Sequence, residues 1–205
     1  MPGIAGLLVK GAGVLAEYAQ ESVDRKAREV FAAALAHPAE CRWMGWQVAR
    51  HLLDEGGAPS TRLLTGIPHG QDHYDPDEKV VYLAEDVCYG RSVFAVAVAA
   101  HEAGHAIQDA TNDPEYLANR DACKVARRAD TAATIARLAG LGGPVVPVAA
   151  AVIARWAWQS RLRVEQDASD RGVALLRSHR LVASDDEERL IAHVLKAAYA
   201  TYDIR

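Results

Sequence analysis

Apolar residues recur at helical spacing over most of this chain. A first helix is expected from about Val14 to Leu35, ended by His37-Pro38, and a second from about Ala39 to Leu53, stopped by Glu55-Gly56-Gly57. Between Thr61 and Asp86 the pattern changes. Two short apolar runs, Leu63-Leu64 and Val80-Val81-Tyr82-Leu83, flank the turn-rich string from His69 to Asp77 and predict two strands joined by a turn around residues 60–86. A helix then starts at Ser92, a suitable N-cap, and reaches about Ala110, where Asn112-Asp113-Pro114 ends it. Its first turns, Val93 to Ala100, are almost wholly apolar, as in a helix buried on every face. Further helices are expected over Glu115–Leu138, Val148–Ser178 and, after the capping-box pattern Ser184-Asp185-Asp186-Glu187, as far as Tyr202. The fold class is mainly α, an α+β chain with one small sheet. There is no internal repeat and no low-complexity linker, so residues 1–205 read as one domain, with a helical region over 1–57 packing on a core over 60–205.

Composition narrows the class. Half the residues are hydrophobic and 24% are charged, enough for a packed core. The net charge of −4 and the scattered arginines give no electrostatic footprint for nucleic acid. Cys41, Cys88 and Cys123 are odd in number and widely spaced; they read as reduced core residues, which fits a cytoplasmic protein. The four tryptophans, Trp43, Trp46, Trp156 and Trp158, read as core, with an interface as the alternative. The first residues lack a basic n-region and do not form a signal peptide. Leu138 to Ala154 is uncharged over 17 residues between Arg137 and Arg155, but it is short for a span and interrupted by glycines and by Pro144 and Pro147, so it reads as a turn and a core helix. Contact with a membrane surface stays open, as does oligomeric state.

The chemistry lies in His101-Glu102-Ala103-Gly104-His105. On a helix His101 and His105 share a face one turn apart, where two imidazoles can grip one zinc ion, and Glu102 can reach a water at that ion. A catalytic zinc takes a third protein ligand, and Glu165 is the best candidate. It shares a helix face with Trp158, Leu162, Ala168, Gly172 and Leu176, a small and apolar face on which a solvated carboxylate is out of place; a buried salt bridge is the bland alternative. Ala168 and Gly172 would let this helix approach the histidine helix closely. Asp167 and Asp170 point away from that face and are read as facing water. His37, His51, His179 and His193 read as structural or surface residues.

Several stretches together resemble a family, the bacterial neutral zinc metallopeptidases, most of which are membrane-embedded. The resemblance rests on Asp72-His73-Tyr74-Asp75-Pro76, on Lys79 to Asp86, on Gly90-Arg91-Ser92 leading into His101–His105 with Ala106-Ile107-Gln108-Asp109, and on Glu165-Gln166-Asp167-Ala168-Ser169. It is dense over residues 60–112 and short again at 164–172. It implies a zincin-like fold of the gluzincin type, with one zinc ion held by His101, His105 and Glu165. Where many gluzincins place an aspartate four residues after the ligand glutamate, this chain has Ser169, so the hydrogen bond that orients a ligand histidine is expected from elsewhere. Family members typically carry a transmembrane N-terminus and long apolar segments between the two motifs. Here only the 17 residues of Leu138–Ala154 are available, whereas two spans, needed to return Glu165 to the same side, take about 40.

The expected function is peptide-bond hydrolysis of a peptide or protein substrate by a zinc-activated water, with Glu102 as general base. The strand at Val80–Ala84 is the candidate edge for pairing with an extended substrate. His73 and Tyr74 are candidates to border the cleft or stabilise an oxyanion, with a turn or hydrogen-bonding role as the alternative; Tyr116 and Arg171 are weaker candidates. The rival reading is a catalytically inactive zinc-binding scaffold or interaction protein, in which an intact Glu102 has no purpose.

Overall fold

The computed structural model describes residues 4–141, 143 and 145–203, without the side chains of 4–19, 202 and 203. It is mainly helical with one small sheet. In chain order the elements are α1 (Ile4–Ala36), α2 (Gly45–Glu55), β1 (Arg62–Ile67), β2 (His73–Asp75), β3 (Val80–Ala84), α3 (Glu85–Cys88), α4 (Val93–Ala110), α5 (Pro114–Leu138), α6 (Val145–Ser178) and α7 (Asp185–Asp203).

Helix α4 is the axis of the molecule. Val93, Val96, Ala97, Ala100, Ala103 and Ile107 are buried, with α1, α2, α6, α7 and the sheet arranged around it. Ser92 caps it as expected, accepting from the Ala95 N–H at 3.2 Å. Asp113 caps α5 by accepting from the Glu115 and Tyr116 N–H groups, and Pro114 follows at the position where a missing N–H costs nothing. Glu187, buried in the first turn of α7, accepts from the Glu40 N–H at 2.8 Å and ties that helix to the loop after α1.

Three boundaries differ from the expectation. Helix α1 begins earlier, at Ile4. Helix α2 begins only at Gly45, because residues 37–44 do other work: Pro38 pairs with Ser92, the Ala39 N–H donates to the Arg91 carbonyl at 2.8 Å, and Arg42 takes a left-handed φ of 57° that no helix continues through. The sheet has three strands rather than two, in the order β1-β3-β2. β1 runs parallel to β3, and β2 pairs antiparallel with it. The string read as a turn thus contains a strand, and the true hairpin joins β2 to β3. β3 is consequently central and cannot be the edge that receives a substrate. Its apolar run is explained by burial on both faces, with Val80, Val81, Leu83 and Ala84 all enclosed.

Helices α5 and α6 form an antiparallel hairpin. The buried positions of α6 begin at Ala157 and continue through Ser160, Val164, Ala168, Gly172 and Leu176, one helical face. The outer part, expected as a core helix, is instead exposed because no other element covers it among the described residues, and it carries large apolar side chains: Leu138 is 81% exposed, Val145 73% and Leu141 67%. Trp156 and Trp46 are exposed as well, against the expectation of four core tryptophans; Trp43 packs edge-on to His51. Among the described residues no helix is long and apolar enough to cross a membrane.

Candidate metal centre

His101 and His105 lie one turn apart on α4, their ring centroids 4.6 Å apart and their planes at 80°. Glu165, from α6, comes to the same point: its Oε2 is 3.3 Å from His101 Nε2 and 3.3 Å from His105 Nε2. The three donor atoms all lie within 4.8 Å of one another. The helices can come this close because the residues between them are small. A Cβ on Gly104 would stand 2.5 Å from the Ala168 carbonyl oxygen, and one on Gly172 would stand 2.9 Å from that of Ala100. Ala168 and Gly172 therefore do what their place on the Glu165 face suggested.

Each imidazole is oriented from behind. Gln108 Oε1 lies 3.0 Å from His105 Nδ1 and can only accept, so Nδ1 carries a proton and Nε2 is the ring atom turned to the cluster. The Gln108 amide in turn donates to the Val164 carbonyl at 3.1 Å and to Asp167 at 2.7 Å, binding α4 to α6. On the other ring, His101 Nδ1 lies 3.1 Å from Ser169 Oγ, whose hydroxyl donates to the Glu165 carbonyl at 3.0 Å. Ser169 thus itself makes the orienting contact that was expected from elsewhere. Asp167 is not idle surface either, since Gln108 and Arg171 both donate to it.

Electrostatics tie the group together. Burial works against the Glu165 charge, but the hydrogen bonds and charges of the two imidazoles outweigh it and hold the carboxyl far below the usual carboxylate range. Burial likewise opposes the His105 cation, and Glu165 more than offsets it, so that pKa is raised. Arg161, one turn before Glu165, donates to its other oxygen at 3.1 Å. Glu102 is 7% exposed, and burial pushes its carboxyl up while the neighbouring imidazoles pull it down. Its side chain borders two cavities, whose linings share Asp72, His101, Glu102 and Glu165.

The other sequence candidates lie around the cleft. His73 and Tyr74, in the edge strand β2, line the second cavity. Tyr74 is buried and its hydroxyl donates to Asp109 at 2.7 Å; His73 is exposed, stacks on Tyr82, and its Nδ1 lies 2.8 Å from the Gln71 carbonyl. Tyr116 is buried in the wall of that cavity, whereas Arg171 is taken up by Asp113 and Asp167. Two residues with clear parts in this site, Gln108 and Asp109, had gone without a role. Gln108 stood three residues after His105, hence on the same helix face, and that spacing was the available signal.

A family model described as "Putative neutral zinc metallopeptidase" matches residues 8–204. The chain belongs to that family. In Bacillus subtilis (strain 168) the protein named "Putative membrane protease YugP" is 32% identical over 166 residues, covering 77% of this chain and 72% of that protein. No solved structure matches.

The donor set fits the ion that the family description names. Zinc takes imidazole and carboxylate ligands at about 2.0–2.1 Å, and a tetrahedron of that size sets neighbouring ligand atoms about 3.3–3.4 Å apart. The two nitrogen-to-oxygen separations here are 3.3 Å. Two imidazoles that present Nε2 and one carboxylate make up the group, with no further donor in it among the described residues, which is the three-ligand set of a zinc site that keeps one position open.

Proposed function

We propose that this member of the zinc metallopeptidase family hydrolyses peptide bonds, with His101, His105 and Glu165 holding one zinc ion per chain and Glu102 as the general base. The observation that carries the reading is the meeting of one Glu165 oxygen with both Nε2 atoms at 3.3 Å, beside a buried glutamate that borders open cavities.

When bound, zinc would acidify a water and polarise the scissile carbonyl. The remaining work falls to the chain. Ser169 and Gln108 engage the Nδ1 side of each ring, which would leave both Nε2 atoms to hold the ion. Glu102 accepts the proton of the attacking water. Its buried surroundings favour the neutral carboxyl, which raises its appetite for that proton and leaves it ready to deliver it to the departing amine. The extended substrate pairs with β2, the edge strand on this side of the sheet. Tyr74 keeps its hydroxyl on Asp109 and so acts as a cleft wall. His73 is the candidate oxyanion donor, and because its Nδ1–H serves Gln71, its Nε2 donates only as imidazolium. A zinc scaffold without activity is less well supported, since a purely structural site has no use for a base bordering a cleft.

The setting proposed is the cytoplasmic face of a membrane, with residues 1–57 packed on the catalytic core as one domain. The relative in Bacillus subtilis is named a membrane protease. The exposed end of the α5–α6 hairpin presents Leu138, Leu141, Val145, Val148 and Val152. Residues 124–163 carry seven arginine and lysine side chains and one acid, Asp130, in a chain whose net charge is −4. An apolar tip framed by Arg137 and Arg155, on a hairpin of net positive charge, suits an anionic lipid surface.

The decisive test is Glu102→Gln. The variant should bind one zinc ion per chain and lose peptide hydrolysis by about 10²–10⁴-fold. Undiminished turnover removes Glu102 from the mechanism; a zinc-free wild-type protein removes the whole reading.

A further inference from the structure

The two cavities at Glu102 differ in chemistry. The first, of about 350 Å³, lies between α1, α4 and α7. Apart from the residues it shares with the second, its wall is mostly apolar: Phe31, Phe94, Val98, Val194, Leu195 and Ala198. The second, of about 410 Å³, lies toward α5 and is bordered by Arg120, Arg127 and Arg161. Arg161 serves Glu165. Arg120 reaches Asp109 only at 3.4 Å through Nη1, and its Nε is buried with no hydrogen-bond partner among the described residues. The Arg120 side chain is nonetheless 35% exposed in the cavity wall, so its outer guanidinium donors are within reach of an incoming acceptor. Asp72, at the boundary, is engaged with the Ala84 N–H at 2.8 Å.

We propose that this site selects its substrate by polarity across the scissile bond: a bulky apolar side chain enters the cavity between α1, α4 and α7, and a carboxylate on the other side of the bond is held by Arg120 and Arg127. The proposal rests on the peptidase reading for the existence of a scissile bond, and on the cavities alone for the two preferences. The apolar cavity is large enough for a leucine or phenylalanine side chain, and filling it removes apolar surface from water on both partners. The carboxylate meets a guanidinium pair whose planar donors match it. An acidic side chain and a free C-terminus supply the same group, so the peptides must separate them.

The experiment is cleavage-site profiling of a mixed peptide library by the zinc-loaded protein, combined with binding of uncleaved peptides to Glu102→Gln measured by fluorescence anisotropy. Sites should carry Leu, Ile, Met or Phe on one side of the bond and Asp or Glu on the other; C-terminal amidation tells whether a free terminus serves instead. Ala198→Phe, which projects a ring into the apolar cavity, should lower kcat/KM for leucine and phenylalanine peptides by about tenfold or more, against little change for alanine peptides. Tyr199→Ala enlarges the same cavity and should favour tryptophan, which guards against misfolding of the first variant. Arg127→Glu should erase the acidic preference alone. Zinc content should stay at one per chain in all three. Cleavage without these preferences, or preferences that none of the variants moves, overturns the proposal and leaves the peptidase reading standing. Selective binding with no cleavage removes the peptidase reading and keeps the two cavity preferences only as a binding specificity.

Discussion

The backbone of Gly104 on α4 faces the carbonyl oxygen of Ala168 on α6 so closely that a Cβ would stand 2.5 Å away. Ala168 follows Glu165 by three residues and Gly104 precedes His105 by one. The spacing of the donors is therefore set by two backbones in contact, and a methyl group here must push the helices apart at the cluster. Gly104→Ala is expected to lose about 1–3 kcal/mol of stability through overpacking, and zinc affinity with it. Thermal unfolding and metal analysis check this; full zinc occupancy at an unchanged Tm would show that the helices separate freely.

Gln108 is 1% exposed and links His105 to Val164 and Asp167. Gln108→Leu keeps the bulk, removes the acceptor for the Nδ1 proton and cuts the amide's links to Val164 and Asp167. A loss of about 10–100-fold in zinc affinity is expected, as for other residues that orient metal ligands. Competitive titration with a chromophoric chelator measures it. Wild-type affinity would mean that the ring needs no such support.

Removing zinc should lower the Tm. An ion that binds the folded chain alone stabilises it by about 4 kcal/mol at a thousandfold excess over Kd. Differential scanning with and without chelator reads the difference directly, and Glu165→Ala should abolish it.

Tyr74 and Tyr116 predict an alkaline limit. Burial is the main cause that raises both phenol pKa values, and Asp109 adds to it, through a hydrogen bond as well as its charge at Tyr74 and through its charge at Tyr116. A group whose folded pKa is raised contributes stability that is fully present below its unfolded value and is lost as pH rises past it. Stability should hold through neutrality and fall above about pH 10, where unfolded tyrosine ionises. Tyr74→Phe should flatten that fall in denaturation curves taken from pH 8 to 11. Asp109→Asn should cost about 1–3 kcal/mol at neutral pH, because it weakens the acceptor shared by Tyr74, Lys79 and Arg120.

Vesicle binding tests the membrane setting. The protein should co-sediment with vesicles rich in anionic lipid and much less with purely zwitterionic ones, and salt or carbonate should release it. Serine at Leu138, Leu141 and Val145 together should abolish binding without touching zinc content. Resistance to carbonate would argue for insertion instead.

Much of this was legible in the sequence because helical periodicity is local. The histidine pair, Ser92 as N-cap and the small face around Glu165 all follow from spacing within one helix. The sheet was not legible to the same degree. β2 is only three residues long and lies in a string of turn formers, and its pairing with β3 is decided by where Tyr74 buries its ring and hydroxyl, a tertiary matter. The parallel placement of β1 on β3 likewise depends on a connection that local pattern does not encode. Asp167 was read as solvent-facing from its angle on the helix wheel, yet Gln108 reaches it from another helix. The exposed tryptophans show that an apolar composition does not say which apolar residues stay outside.

Helix α6 has two regimes along one continuous rod, with no buried residue before Ala157 and a buried stripe from there to Leu176. The outer turns should open and close on their own, exchanging their amide hydrogens early, while those around Glu165 exchange only when the protein as a whole comes apart. Disturbance at the far end of the rod, whatever it touches, would thus dissipate before it reaches the donors.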